Sequence, residues 1–280
     1  MQSRHTSDER RSLARLGPAI PIREDSLLLA YQPVVSTATG AVDYFESLLR
    51  LRDNCGRIVT GGEFVAGLER SGLIGIVDRL VLERAVAEVR AHPEVRLGFN
   101  VSGLTVANRA WLRRLTSLLH EDAGVAGRLV VEITETAALV DLAESTRFVD
   151  ALRAAGTRVA LDDFGAGHTS LRHLAKLAVD TVKIDGSFVR DMATSPEHRV
   201  FLRHLLSFAR DVGCHVVAEW VETAEDAAIL RDEGVGFVQG YHFGRPTLAR
   251  PWLGETTAEP QMAERRPQLV VTNDTDAAAF

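Results

Sequence analysis

Several common signals are missing from this 280-residue chain, and each absence narrows what it can be. There are only two cysteines, Cys55 and Cys214, with no CxxC or His-flanked spacing. They read as free thiols in a reducing compartment rather than a disulfide or zinc framework. No apolar run approaches the ~20 residues of a membrane span, and the opening MQSRHTSDERRSLARL lacks the apolar centre of a signal peptide. The expected place is the cytoplasm. No basic block is visible; Lys plus Arg number 32 against 38 Asp plus Glu, a net charge of −6. That balance argues against a DNA or RNA polymer as partner, though not against a small anionic nucleotide held through metal ions. Neither GxGxxG nor GxxxxGK[ST] follows any apolar run, which removes the usual dinucleotide and P-loop signatures.

What remains is an ordinary globular balance, 46% hydrophobic and 25% charged, enough to fill a sizeable core. Residues 1–20 read as a charged helical lead-in or linker, 21–255 as one domain, and 256–280 as a mostly disordered tail. Within the domain, eight short apolar runs span 27–35, 41–49, 96–102, 128–135, 158–164, 181–188, 215–222 and 236–244. Most are continuous, as in strands covered on both faces. Amphipathic segments separate most of them; in TRFVDALRAAG, Phe148, Val149 and Leu152 share a helical face and Gly156 ends it. Only STATG divides the first two runs, which predicts an antiparallel hairpin. The fold class is therefore α/β, a (β/α)8 TIM-like barrel with one antiparallel strand. An open doubly wound sheet is the alternative that spacing leaves standing.

Polar residues interrupt or close these runs at recurring places: Gln32, Glu46, Asn100, Glu132, Asp162 with Asp163, Lys183, Glu219 and Gln239. In a barrel the C-terminal strand ends converge on the face where catalytic groups sit. Five carboxylates gathered there would repel one another strongly without cations. The donors are all oxygen, which suits Mg2+ or Mn2+ rather than structural zinc. Adjacent aspartates at one strand end could serve two cations, the arrangement used in phosphodiester hydrolysis. Lys183 could position a water or phosphate as a point charge, or could simply pair with Asp185.

In order along the chain, YQPVV, ESLLR, NVS, EITET, DDFGAG, VKIDGSF, AEWVE and QGYHFGRP closely resemble the EAL family of cyclic di-GMP phosphodiesterases. That resemblance implies the barrel, two Mg2+ or Mn2+ ions per active site, and cleavage of cyclic di-GMP to linear pGpG. It implies metal ligation by Glu46, Asn100, Glu132, Asp162, Asp163 and Glu219, with Glu46, Lys183 and Glu219 as the catalytic set. Arg50 matches an arginine that grips a substrate phosphate. Gln32, Asp185, Glu222, Gln239 and Tyr241 resemble groups around the guanines or the second half of the ligand. Glu135 falls where the family keeps a glutamate bracing the loop GAGHTSLRHL, in which Thr169 or Ser170 could cap the next helix. A homodimer and an upstream sensor domain are family expectations. A non-catalytic cyclic di-GMP receptor acting through a protein partner is the alternative, although receptors of that kind usually lose metal ligands.

Three positions depart from the commonest family pattern. Ser47 replaces the central alanine of the signature, and GAGHTS replaces GTGYSS. Trp220 stands where glycine is usual in AEGVE, a large change beside a candidate catalytic carboxylate. It either alters substrate access or packs outward against a helix, and the outward placement is the expectation. His168, His173, His215 and His242 lack ligand spacing and read as surface or packing residues. Trp111 and Trp252 read as core or interface aromatics, and RDNCGRIVTGGEF as a turn-rich loop leading into a helix.

Overall fold

The structure is a computed structural model that describes residues 24–120, 122–165, 171–190, 192 and 195–254. The lead-in 1–20, the tail 256–280 and loop residues 166–170, with His168, Thr169 and Ser170, lie outside the described residues.

Nine strands form one sheet: β1 Leu27–Ser36, β2 Val42–Arg52, β3 Ile58–Thr60, β4 Leu97–Asn100, β5 Leu129–Thr134, β6 Arg158–Phe164, β7 Thr181–Ile184, β8 His215–Ala218 and β9 Phe237–Gln239. Pairing in the order β1-β9-β8-β7-β6-β5-β4-β2, closed by β1–β2, makes an eight-stranded barrel, with β3 outside the ring on β2. Strand β1 runs antiparallel to both of its neighbours, and the other ring pairs are parallel. Closure excludes the open sheet. The predicted hairpin forms with Gln32 opposite Glu46, because five connecting residues cannot hold a crossover helix.

Each strand turns alternate residues inward. Outward residues such as Leu97, Phe99, Val131, Ile133 and Leu161 are buried under the helical layer. The helix Ile74–Ala91 presents Val77, Val81, Leu82, Ala85, Val86 and Val89 to this core. In Leu142–Ala154, Phe148, Val149 and Leu152 are buried, and Gly156 follows at φ +85°, a left-handed conformation that favours glycine. Ser195 caps Pro196–Val212 by accepting from His198 N, with Pro196 at a tolerated first-turn position. Trp111 packs near Phe148, while Trp252 meets Tyr31 and Phe45. Cys55 and Cys214 are both free.

One element corrects the reading of RDNCGRIVTGGEF as loop followed by helix. Asp53 Oδ1 accepts from Cys55 N and Arg57 N, an Asx turn. That turn folds Ile58–Thr60 back as β3, with Thr60 opposite Arg50. The helix Gly61–Arg70 then begins with a Thr60–Glu63 capping box.

Candidate active site

Two residues beyond the barrel's apolar interior, the inward positions change chemistry. Glu46 on β2, Asn100 on β4, Glu132 on β5, Asp162 on β6 and Lys183 on β7 stand there, with Glu219 just past β8 and Gln239 on β9. Lys183 is 0% exposed, so its charge must be compensated within the barrel. Its Nζ lies 3.1 Å from Glu46 Oε2, 2.8 Å from Glu132 Oε2, 3.1 Å from Asp162 Oδ1 and 2.7 Å from Glu219 Oε1. An ammonium has only three protons to donate, so four carboxylates compete for it. The alternative pairing with Asp185 is not what forms; Asp185 Oδ1 instead accepts from Ser187 N at 2.9 Å.

Glu46 is the most heavily bonded acid. Asn100 Nδ2 donates to its Oε1 at 2.7 Å, and Gln239 Nε2 and Lys183 Nζ donate to its Oε2. Burial opposes its ionisation, but Lys183, Gln239 and Asn100 hold it below the usual carboxylate range. The other acids go the opposite way. Burial, reinforced by Glu46 and Asp162 against Lys183, pushes Glu132 up to about 8. Burial likewise raises Asp162 and lifts Glu219 well above the usual range. Asp163 is pushed up to about 6, by burial and then by the neighbouring Asp162 charge. Lys183 stays charged: burial disfavours its ammonium, but the four surrounding carboxylates raise it well above its ordinary value.

Among the described residues, two sets of carboxylates have ligand oxygens within 4.8 Å of one another: Glu46, Glu132 and Asp162, and Asp162, Asp163 and Glu219. Asp162 belongs to both. Asp163 reaches its place through a backbone φ of +56°, a strained conformation for a non-glycine residue. Register between β6 and β7 breaks between Leu161 and Phe164, so adjacent aspartates need not alternate faces. Glu132 Oε1 is buried without a hydrogen-bond partner among the described residues. An orphaned carboxylate oxygen inside a pair of acidic triads fits a cation-binding role.

The remaining predicted residues spread outward from this centre. Gln32 Nε2 donates to Gly244 O at 3.1 Å, and Gln239 Nε2 lies 3.2 Å from Gln32 Oε1. Buried Arg50, further along β2, donates to Leu49 O. Tyr241 sits beneath the Arg245 guanidinium, 4.1 Å from the ring centroid. Glu222 is exposed. Glu135 is buried, and its Oε2 accepts from Gly165 N at 2.7 Å, which ties it to the start of the loop after β6. Trp220 packs outward against the helix Gly186–Arg190.

Sequence reading overlooked three supporting residues. Tyr44 and Gly98 seat Glu132 from below: a Cβ on Gly98 would lie 2.4 Å from Glu132 Oε1 and 2.6 Å from Tyr44 Cε2. Asp78, buried in Ile74–Ala91, accepts from Ser102 N at 3.0 Å, two residues past Asn100. Burial pushes its carboxyl up to about 7. Its signal was a charge set four residues from both Ile74 and Leu82 on the buried stripe.

The EAL domain profile matches residues 13–246. The chain belongs to the EAL domain family. Among curated relatives, it is 31% identical over 230 residues to the cyclic di-GMP phosphodiesterase NbdA of Pseudomonas aeruginosa, covering 80% of this chain and 29% of that protein. It is 32% identical over 230 residues to the cyclic di-GMP phosphodiesterase PdeB of Shewanella oneidensis, covering 80% and 27%. This EAL chain thus spans under a third of the length of either relative. Among solved structures it resembles the PaMucR phosphodiesterase in complex with c-di-GMP. There the TM-score is 0.75 at 27% identity, covering 88% of this chain and 98% of that one.

Proposed function

We propose that this EAL domain is a metal-dependent phosphodiesterase that hydrolyses cyclic di-GMP to linear pGpG. The observation that carries the reading is the pair of acidic triads sharing Asp162 around buried Lys183. Five carboxylates, Glu46, Glu132, Asp162, Asp163 and Glu219, face one ammonium. With all five ionised the cluster would carry four uncompensated negative charges, which two divalent cations would offset; without cations, burial raises Glu132, Asp162, Asp163 and Glu219 toward their protonated forms. Glu46, Asn100, Glu132, Asp162, Asp163 and Glu219 would hold Mg2+ or Mn2+. Two such ions supply Lewis acidity toward a phosphodiester and acidify water.

The chain's own groups divide the rest of the work. With cations offsetting the cluster and its carboxyl ionised, Glu219 would take a proton from the attacking water, and Lys183 Nζ, 2.7 Å from Glu219 Oε1, would steady that water and the phosphate as a point charge. Glu46 is held ionised by its three donors. Arg50 grips a substrate phosphate, while Gln32, Asp185, Glu222, Gln239 and Tyr241 lie around the guanines or the second half of the ligand. Glu135 anchors the loop after β6 and so keeps Asp163 near the site. Divalent cations and Lys183 draw on the same oxygens, so loading competes with the lysine's four contacts. A cytoplasmic homodimer driven by a sensor region outside these residues belongs to the same reading.

The test is incubation of the purified protein with cyclic di-GMP and Mg2+ or Mn2+, following pGpG by chromatography beside Glu46→Ala. Turnover that needs both metal and Glu46 supports the enzyme. Tight binding without turnover in either metal overturns it and favours a receptor acting through a protein partner.

A further inference from the structure

Trp220 is the one aromatic residue among the exposed large hydrophobic side chains of the described residues, at 53% exposure. It directly follows Glu219, with a backbone φ of +56°, a region that favours glycine and strains a bulky residue. An exposed indole held at a strained position beside a site of chemistry calls for a physical reason.

The packing around the ring supplies one. A Cβ on Gly186 would come within 2.2 Å of the indole Cγ and 2.4 Å of its Cδ2, so only a glycine lets the ring settle there. The Arg190 guanidinium carbon lies 5.0 Å from the ring centroid, within cation–π range. Gly186 and Arg190 stand four residues apart on the helix Gly186–Arg190 and therefore on one face of it. Gly186 lies against the Cγ–Cδ2 part of the indole and the Arg190 guanidinium stands over the ring, while about half of the residue stays open to solvent. This packing adjoins the catalytic face, since Gly186 begins its helix three residues past Lys183 near the end of β7 and Trp220 directly follows Glu219. A second pair of the same kind, Arg245 over Tyr241, lies beyond the end of β9.

Resting on the phosphodiesterase reading above, we propose that Trp220 is a specificity-determining residue whose open face is a stacking platform for a guanine of the substrate. Purine π-faces stack well on indole, and the cation behind the ring fixes its plane. The platform is built from three parts together: the indole after Glu219, the missing side chain at 186, and the guanidinium at 190. The competing role is that of a strut. The same helix places Phe188 over Gly165, where a Cβ would meet Phe188 Cε2 at 2.6 Å, so Trp220 could merely hold that helix against the β6 loop.

Trp220→Gly and Trp220→Phe separate the two roles. Glycine suits the backbone conformation, so the fold should survive, with a thermal midpoint at or above wild type. Turnover of cyclic di-GMP is compared with that of bis(4-nitrophenyl) phosphate, a diester with no purine. Stacking predicts that Trp220→Gly raises KM for cyclic di-GMP about tenfold with little change in kcat, and lowers selectivity over the base-free diester by about the same factor. Trp220→Phe should recover most of that selectivity. Equal losses on both substrates, or a fall confined to kcat, assign the strut and overturn the platform; no change in either overturns it as well.

Binding supplies a readout that needs no turnover. Cyclic di-GMP should quench tryptophan emission of the wild type, and Trp220→Phe should lose that quench while equilibrium dialysis still finds ligand bound. Ligand bound to wild type without a quench assignable to Trp220 overturns the platform alone. Wild type that neither binds nor hydrolyses cyclic di-GMP overturns the phosphodiesterase reading and the platform with it.

Discussion

Two neighbouring layers inside this barrel share one backbone geometry and oppose each other in chemistry. In the lower layer Val34, Tyr44, Val130, Ala160 and Val217 form a small buried cluster with Phe237 packed against it. Two residues along the same strands stand Gln32, Glu46, Glu132, Asp162, Glu219 and Gln239. The lower layer is a plug that keeps water out and the local dielectric low. The upper layer exploits that dielectric, since charge interactions strengthen where water is excluded. The contrast teaches that the site is not an opening in the core but its last inward layer, with a lysine where a further aliphatic residue would otherwise fit. Gly98 sits at the boundary and leaves room for both Tyr44 and Glu132.

The largest way to break this contrast is to make the upper layer's centre apolar. Lys183→Met keeps most of the side-chain volume but leaves buried carboxylates without their ammonium. Removing one partner of a buried charge set costs about 3–5 kcal/mol. In chelator the urea midpoint should fall accordingly, and excess Mn2+ should restore part of it by replacing the lost positive charge. A wild-type midpoint in chelator would mean that the acids are not charged against Lys183 at all.

Proton titration perturbs the same layer without mutation. Glu132 is raised to about 8 by burial and by Glu46 and Asp162, whereas an unfolded glutamate titrates at about 4.3. A raised folded value means that the folded chain binds the extra proton between these limits. Its contribution is fully present below the unfolded value and lost as pH rises through about 8. Asp163, raised to about 6, adds in the same direction at lower pH. Metal-free protein should therefore lose several kcal/mol between pH 5 and 9, with a flatter profile in Glu132→Gln. Denaturant midpoints that rise over this range would contradict the assignment.

Gly98→Ala tests the boundary between the layers. The new methyl would lie far inside contact distance of Glu132 Oε1 and Tyr44, and the closed ring leaves neither side chain free to retreat cheaply. Overpacking of this kind costs about 1–3 kcal/mol. Metal-dependent turnover should drop with it, because Glu132 is displaced. Full activity at unchanged stability would show that Glu132 is not seated by Gly98.

The charged layer was legible in the sequence for a physical reason. A strand covered on both faces reads as an apolar run, so each inward polar residue stands out against it, as Glu132 does in LVVEIT and Lys183 in TVKI. The hairpin was legible because five residues permit no crossover. Strand β3 was not, since its three residues depend on the turn that Asp53 closes and on pairing with β2, neither of which leaves a periodic trace. The backbone at Asp163 and Trp220 was also hidden. Local preference argues against positive φ at either residue, and only the packing of Gly186 beneath the indole and the register break in β6 account for the exceptions. Asp78 had a visible signal, a charge on a buried helical stripe, but its partner Ser102 lies 24 residues away.

The smallest expected effect sharpens the comparison most finely, because it asks where the polar layer ends. Tyr44 lies in the apolar layer, yet its hydroxyl is buried without a hydrogen-bond partner among the described residues, and burial together with Glu132 drives its ionisation well above the ordinary range. Glu132 Oε1, above it, is likewise unpartnered. A buried hydroxyl with no partner carries a desolvation penalty that deletion removes. Tyr44→Phe should therefore leave stability unchanged or raise it by up to about 1 kcal/mol, with turnover within about twofold of wild type. A loss of stability instead would place the hydroxyl in the charged layer, bonded to Glu132, and move the boundary one residue deeper into the barrel.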